Sequence, residues 1–170
     1  MSRRRVPGSF LEECTMAPRV KAIPDGYHSV TPYLIVDDAA GAIAFYQDIF
    51  NAGERMRMPG KDGRISHAEI TIGDSVIMLA DEHAEVGARS PKAVGGTPVT
   101  IAIYTENVDD VVKRAVDAGA KLERPVADQF YGDRTGGIID PFGHRWFVMT
   151  HVEDVAPEEM ERRMNALANA

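Results

Sequence analysis

The sequence predicts an α+β domain built from two tandem βαβββ modules, and three observations carry that prediction. An apolar, β-branched run that turns polar occurs twice, as VTPYLIVDD (30–38) and VTIAIYTEN (99–107). A helical stretch follows each run and stops at an Ala-Gly pair, Ala52-Gly53 and Ala118-Gly119. Three further strand-like runs then complete each unit, so the pattern β-α-β-β-β occurs twice in 170 residues.

In the first copy, residues 30–38 read as a strand ending at a helix N-cap. AAGAIAFYQDIFNAG follows, with Ile43, Tyr46 and Phe50 at helical spacing and Gly53 as a stop. GERMRMP, RISHAEITIG and DSVIMLADE read as strands, turned at Lys61-Asp62-Gly63 and Gly73-Asp74. In the second copy, VDDVVKRAVDAG is an amphipathic helix using Val108, Val111, Val112 and Ala115. KLERPVADQFYG, DRTGGIID and HRWFVMTH are its strands, the last two joined by Asp140-Pro141-Phe142-Gly143. The Gly- and Pro-rich PKAVGGTP (91–98) links the copies.

The expected organisation is a flexible N-terminal extension over 1–24, a domain over 25–154 with modules near 27–90 and 97–152, and a C-terminal helix over 155–170. The extension has no periodicity, and Met16 would itself serve as a start. In the final helix Pro157 suits the first turn, Glu158 and Glu159 favour the positive end of the dipole, and Met160, Met164 and Leu167 form an apolar stripe. Such a stripe docks on its own domain or on a partner subunit.

A net charge of −7 argues against nucleic acid as a partner, because a phosphate backbone needs a basic face. No apolar run reaches membrane-spanning length and no signal-peptide stretch opens the chain, so no membrane partner and a cytoplasmic location are expected. Cys14 is the single cysteine, which excludes an intrachain disulfide and any cysteine-based metal site.

With YLIVDDAAGAIAFYQDIF opening the first copy and IIDPFGHRWFVM closing the second, the chain resembles the vicinal oxygen chelate superfamily. That superfamily includes glyoxalase I, extradiol dioxygenases, fosfomycin-resistance enzymes and bleomycin-resistance proteins. The stretches HAEITIGDSVIMLADE and QFYGDRTGGIIDPFGHRWFVMTH are most similar to its PhnB-like branch. The resemblance implies a curved mixed β-sheet cup with the helices outside. In metal-dependent members the ligands come from the first and last strands of each module. Those positions fall here on Thr31 and Met78, and on Thr100 and Phe147, the same interval separating both pairs. None is an imidazole or a carboxylate, so the usual divalent-metal site is expected to be missing and no cofactor is implied.

Strand alternation places Arg145, Phe147 and Met149 on one face and His144, Trp146 and Val148 on the other. The first set is expected to look into the cup, with Tyr33, Tyr104, Met78, Thr31 and Thr100 beside it; the same residues would also serve as packed filling. His67, Glu69 and Thr71 share a strand face opposite Ala68 and Ile70. A His-x-Glu pair can bind metal or act as a base with its orienting partner, and is equally consistent with a solvated polar face. In QFYGDRTG, Phe130 and Tyr131 are candidates to close over a planar ligand, and Arg134 to pair with its carboxylate or phosphate. The alternative is that Asp133 and Arg134 pair with each other or across a subunit boundary.

The reading is a small-molecule-binding protein of the glyoxalase/bleomycin-resistance type, a homodimer whose ligand is partly apolar or aromatic. The alternative is a metal-dependent lyase, isomerase or dioxygenase using a displaced site at His67, Glu69 and a further donor such as His151. A third reading, an interaction module with a filled cup, predicts no ligand-dependent gain in stability.

Overall fold

Two four-stranded mixed sheets form, one from each copy of the repeat. The structure, a computed structural model, describes residues 20–168, so the first nineteen residues of the expected extension lie outside the described residues. In the first sheet β1 (Tyr33–Val36), β2 (Gly53–Pro59), β3 (Ile65–Ile72) and β4 (Ser75–Asp81) are ordered β1-β4-β3-β2. In the second, β5 (Thr100–Tyr104), β6 (Lys121–Asp128), β7 (Asp133–Ile139) and β8 (Arg145–His151) are ordered β5-β8-β7-β6. β1–β4 and β5–β8 are the parallel pairs; the others are antiparallel hairpins. The helices are α1 (Ala39–Phe50), the single turn α2 (Pro91–Val94), α3 (Val108–Asp117) and α4 (Pro157–Ala168).

The internal repeat extends to the caps. Asp38 and Asn107 have the same backbone conformation, φ −147° and ψ 91°. Each side chain accepts from the amide three residues on, Gly41 at 2.9 Å and Asp110 at 3.1 Å. The strands are shorter than the apolar runs. β1 starts only at Tyr33 because Pro32 has no amide to donate, although its carbonyl still accepts from Met78. β6 ends at Asp128, where Gly132 at φ +97° turns the chain into β7.

The two helices differ in how much of their surface is buried, and the reason is the packing of the modules. α3 buries one stripe, Val108, Val111, Val112 and Ala115, against β6, β7 and β8. α1 buries Ala39, Ala42, Ile43, Phe45, Tyr46, Ile49 and Phe50, more than one face can hold. One side lies on its own sheet; the other meets the second module, with the Phe50 ring 4.6 Å and the Tyr46 ring 5.3 Å from Trp146. Arg114 of α3 donates to the carbonyls of Asp48 and Ile49 at the negative end of α1.

The joint is fixed by Asp140, a buried carboxylate in the turn before β8. One oxygen accepts from the Tyr46 hydroxyl (2.7 Å) and Trp146 Nε1 (2.8 Å). The other accepts from the amides of Phe142 and His144, each at 2.9 Å. Both sheets therefore share one core around the helices, and the opposite face of each sheet is left open. The α+β class and the tandem βαβββ order stand, while the sheets do not close into one cup within the chain. β1 and β5 remain edges, separated by a cleft of about 460 Å³ lined partly by Ile35, Val99 and Ile101. His144, read as a neighbour of Trp146 and Val148, reaches the Ile35 carbonyl at 3.2 Å across this gap.

α4 is held at one end by Arg163, which pairs with Glu153 and Glu159 and donates to the Phe130 carbonyl. Its apolar stripe is not buried: Met164 and Leu167 are exposed. Among the described residues no helix is long and apolar enough to cross a membrane.

Candidate functional site

The ladder registers place one row of side chains across the open face of each sheet. In the first the row runs Met56, Glu69, Met78, Tyr33; in the second it runs Arg124, Gly137, Phe147, Ala102. Met78 and Phe147 thus hold equivalent places, and their strand neighbours Leu79, Trp146 and Val148 are buried toward the helices. Two residues further along the second sheet lies the row Ala127, Thr135, Met149, Tyr104. Tyr33 and Tyr104 remain 48% and 63% exposed, so neither open face is packed shut at its outer strand.

The first module gathers a polar network on this face. Glu69, only 6% exposed, is bounded by Ala68 and Ile70, whose side chains face the helices. The Tyr27 hydroxyl donates to Glu69 Oε2 at 2.5 Å, and Arg55 Nη1 stands 3.6 Å from the same oxygen. His67 Nε2 lies 3.4 Å from Oε1, and His67 Nδ1 lies 3.0 Å from the Tyr33 hydroxyl. The hydrogen bond from Tyr27 above all holds the Glu69 carboxyl below its ordinary range, against the opposing effect of burial; His67 and Arg55 add to it. The same bond raises the Tyr27 phenol. Arg55 also stacks on the Tyr27 ring, 4.6 Å from its centroid. Tyr27 and Arg55 escape sequence reasoning: Tyr27 lies before β1, in a stretch with no periodicity.

The second module gathers a different set. Asp133, buried at the start of β7, accepts from Tyr104 (2.9 Å) and from His151 Nδ1 (2.7 Å). Asp154 lies 3.0 Å from the other ring nitrogen. These carboxylates, Asp133 first, raise the His151 pKa. Phe130 and Tyr131 form an edge-to-face pair in the turn above, ring centroids 5.2 Å apart. Arg134 stands apart from this set. It shares a strand face with Ile138, which is buried toward α3, and so points away from the open face. There it makes a bidentate pair with Asp109 and a further bond to Asp128. It pairs with neither Asp133 nor a site on the open face. Thr31 precedes β1, Thr100 is exposed at the start of β5, and Met149 is buried beside Tyr104.

Residues 26–148 match the family model of the Glyoxalase/Bleomycin resistance protein/Dioxygenase superfamily. The chain belongs to that superfamily. The uncharacterized protein Rv0887c of Mycobacterium tuberculosis (strain H37Rv) is 41% identical over 141 residues, covering 81% of this chain and 83% of the relative. The PhnB protein from Bacillus cereus superposes with a TM-score of 0.57 at 17% identity, covering 72% of this chain and 99% of its own. FosX, the fosfomycin resistance protein from Listeria monocytogenes, solved with Mn(II) and sulfate, gives 0.55 at 22%, covering 76% and 93%. At these identities the two structures show a shared fold.

The superfamily includes metal-dependent members, so the fit of this chain to a divalent ion can be tested on its donors. The paired places on the outer and last strands hold Tyr33 with Met78 and Ala102 with Phe147. Thioether and phenyl groups do not ligate such an ion, and the hydroxyls of Thr31 and Thr100 are weak donors. Among the described residues no group of three or more His, Cys, Asp and Glu is placed to hold a metal. For the alternative site at His67 and Glu69, both on β3, the further donor suggested at His151 is bonded to Asp133 and Asp154 in the second module.

Proposed function

We propose that the chain is a small-molecule-binding member of its superfamily, acting in the cytoplasm as a homodimer. Its ligand is partly apolar or aromatic and lies on the open sheet faces, as in the binding of a drug by a bleomycin-resistance protein. The observation that carries this reading is the pair of rows across the sheets, where Met78 and Phe147 take the places that metal chemistry would need for donors. Affinity then comes from apolar burial, about 2.5 kcal/mol per 100 Å² removed from water, and from stacking on Tyr33, Tyr104 and Phe147. Thr31, Thr100, His67, Glu69, Phe130 and Tyr131 supply orientation at the margins. No bond is made or broken.

The half-open faces support the dimer. Tyr33, Tyr104, Met164 and Leu167 are large apolar or aromatic side chains left in water by one chain. A second copy that walls these faces removes them from solvent and completes each cup.

The test joins elemental analysis of the purified, untagged protein with thermal unfolding in the presence of Mn, Fe(II), Co, Ni and Zn, and then of an aromatic ligand set. A saturable rise in Tm with an aromatic ligand, and none with any metal, is the expected result. Stoichiometric metal, with a stabilisation lost in His67→Ala and Glu69→Ala, overturns the reading in favour of the metal-dependent enzyme.

A further inference from the structure

We infer that the open face of the second module is an anion-anchored aromatic subsite, in which Arg124 takes the carboxylate or phosphoryl group of a small ligand whose planar body lies against Phe147. The inference deepens the small-molecule reading and rests on it.

Three observations converge on these residues. The first is their row: Arg124 on β6 faces Gly137 on β7, which faces Phe147 on β8. Gly137 makes room for the arginine, since a Cβ there would stand 3.1 Å from Arg124 Cβ and 3.2 Å from its Cγ. The arginine stem therefore lies across the glycine, and the charged head extends from a fixed base. The second is a hollow of about 170 Å³ at this place, lined by Thr100, Arg124, Gly137, Phe147 and the Glu123–Arg145 ion pair. That volume suits one ring with one charged group and falls short of a drug-sized site.

The third is charge. Arg145 is already matched by Glu123 at 2.8 Å, so this pair leaves the hollow neutral. Arg124 makes no hydrogen bond or ion pair among the described residues, whereas Arg55, Arg57, Arg114, Arg134 and Arg163 are all engaged with carboxylates. A guanidinium free of partners in a hollow that it shares with Phe147 is suited to a bidentate grip on a planar anion. The first module is the converse. The place of Gly137 is taken there by Glu69, and that carboxylate is already held by Tyr27. One row thus carries an acid, Glu69, where the other has Gly137, and the other carries a base, Arg124, where the first has Met56; only the second accepts an anion.

The experiment is isothermal titration of the full chain with benzoate, phenylphosphonate, benzamide and inorganic phosphate. Benzoate or phenylphosphonate should bind at least about tenfold more tightly than neutral benzamide, and their ratio tells carboxylate from phosphoryl as the preferred head. Arg124→Gln should cost the anions about 10- to 100-fold and leave benzamide binding and the ligand-free Tm unchanged, while Arg124→Lys restores part of the preference. Phe147→Ala should weaken every ring-bearing probe. Equal binding of benzoate and benzamide, or anion binding untouched in Arg124→Gln, overturns the inference while the small-molecule reading stands. Inorganic phosphate binding as tightly as phenylphosphonate overturns the aromatic half of it. Failure of every ring-bearing probe to bind removes the subsite, and the ligand set used for the Tm test then decides the broader reading separately.

Discussion

Replacing Asp140 by alanine should weaken the joint between the two modules. The carboxylate accepts four hydrogen bonds, two of them from the Tyr46 hydroxyl and Trp146 Nε1, which belong to side chains 0% and 1% exposed. Removing it leaves both donors in a core with no other acceptor, at about 1–3 kcal/mol each. The Phe142 and His144 amides lose their acceptor too, which loosens the turn into β8. Relief from burying a charge offsets part of this, and the net loss should be about 3–5 kcal/mol. In a domain of this size that lowers Tm by on the order of 10 °C. Urea unfolding followed by far-UV circular dichroism and by Trp146 fluorescence measures it. Tyr46→Phe, which removes one donor and keeps the ring, should cost about 1 kcal/mol in the native background and recover about 1–3 kcal/mol in Asp140→Ala. A loss below about 1 kcal/mol for Asp140→Ala, or an equal cost of Tyr46→Phe in both backgrounds, would refute the account of the joint.

Two further predictions concern titration. The His151 pKa is raised by Asp133 and Asp154, so the pair stabilises the fold fully below the unfolded imidazole pKa and less as pH rises through the folded one. His151→Asn should flatten the dependence of Tm on pH between about pH 6 and 8; an unchanged slope would place the dependence elsewhere. Glu69 is shifted the other way, so its contribution is present above the unfolded carboxylate pKa and lost as pH falls through the depressed folded value. Because the Tyr27 hydroxyl is the main cause, Tyr27→Phe should raise the Glu69 titration midpoint seen by carboxyl ¹³C NMR and move acid unfolding to higher pH. A midpoint that does not move would show that His67 and Arg55 hold the carboxylate instead.

Much of the fold is written in local pattern. The helix caps at Asp38 and Asn107, the stops after both helices and the alternation that separates Phe147 from Trp146 each depend on residues a few positions apart. The candidate site was less legible because its contacts are distant in sequence. Tyr27 reaches Glu69 across 42 positions, and Tyr46 reaches Asp140 across 94. Arg134 could be read as a ligand anchor from its loop, since nothing near it in sequence shows that Asp109, at the start of α3, would stand under it. Arg124 is illegible for the converse reason: its lack of a partner among the described residues is visible only once every neighbour is placed.

The sequence alone determined the repeat, the class and the side of each strand that meets a helix, because those follow from backbone periodicity and from which side chains leave water. Tertiary structure decided how the two modules meet. The apolar surplus of α1 is satisfied by Trp146 and Phe142 of the other module, so both sheets pack around the helices and turn their remaining faces outward. It also decided that of the equivalent residues Glu69 and Gly137 one is bonded by Tyr27 and the other is crossed by the stem of Arg124. Charge and space at those positions are set by chain segments that only folding brings together, and they give the two faces opposite chemistry.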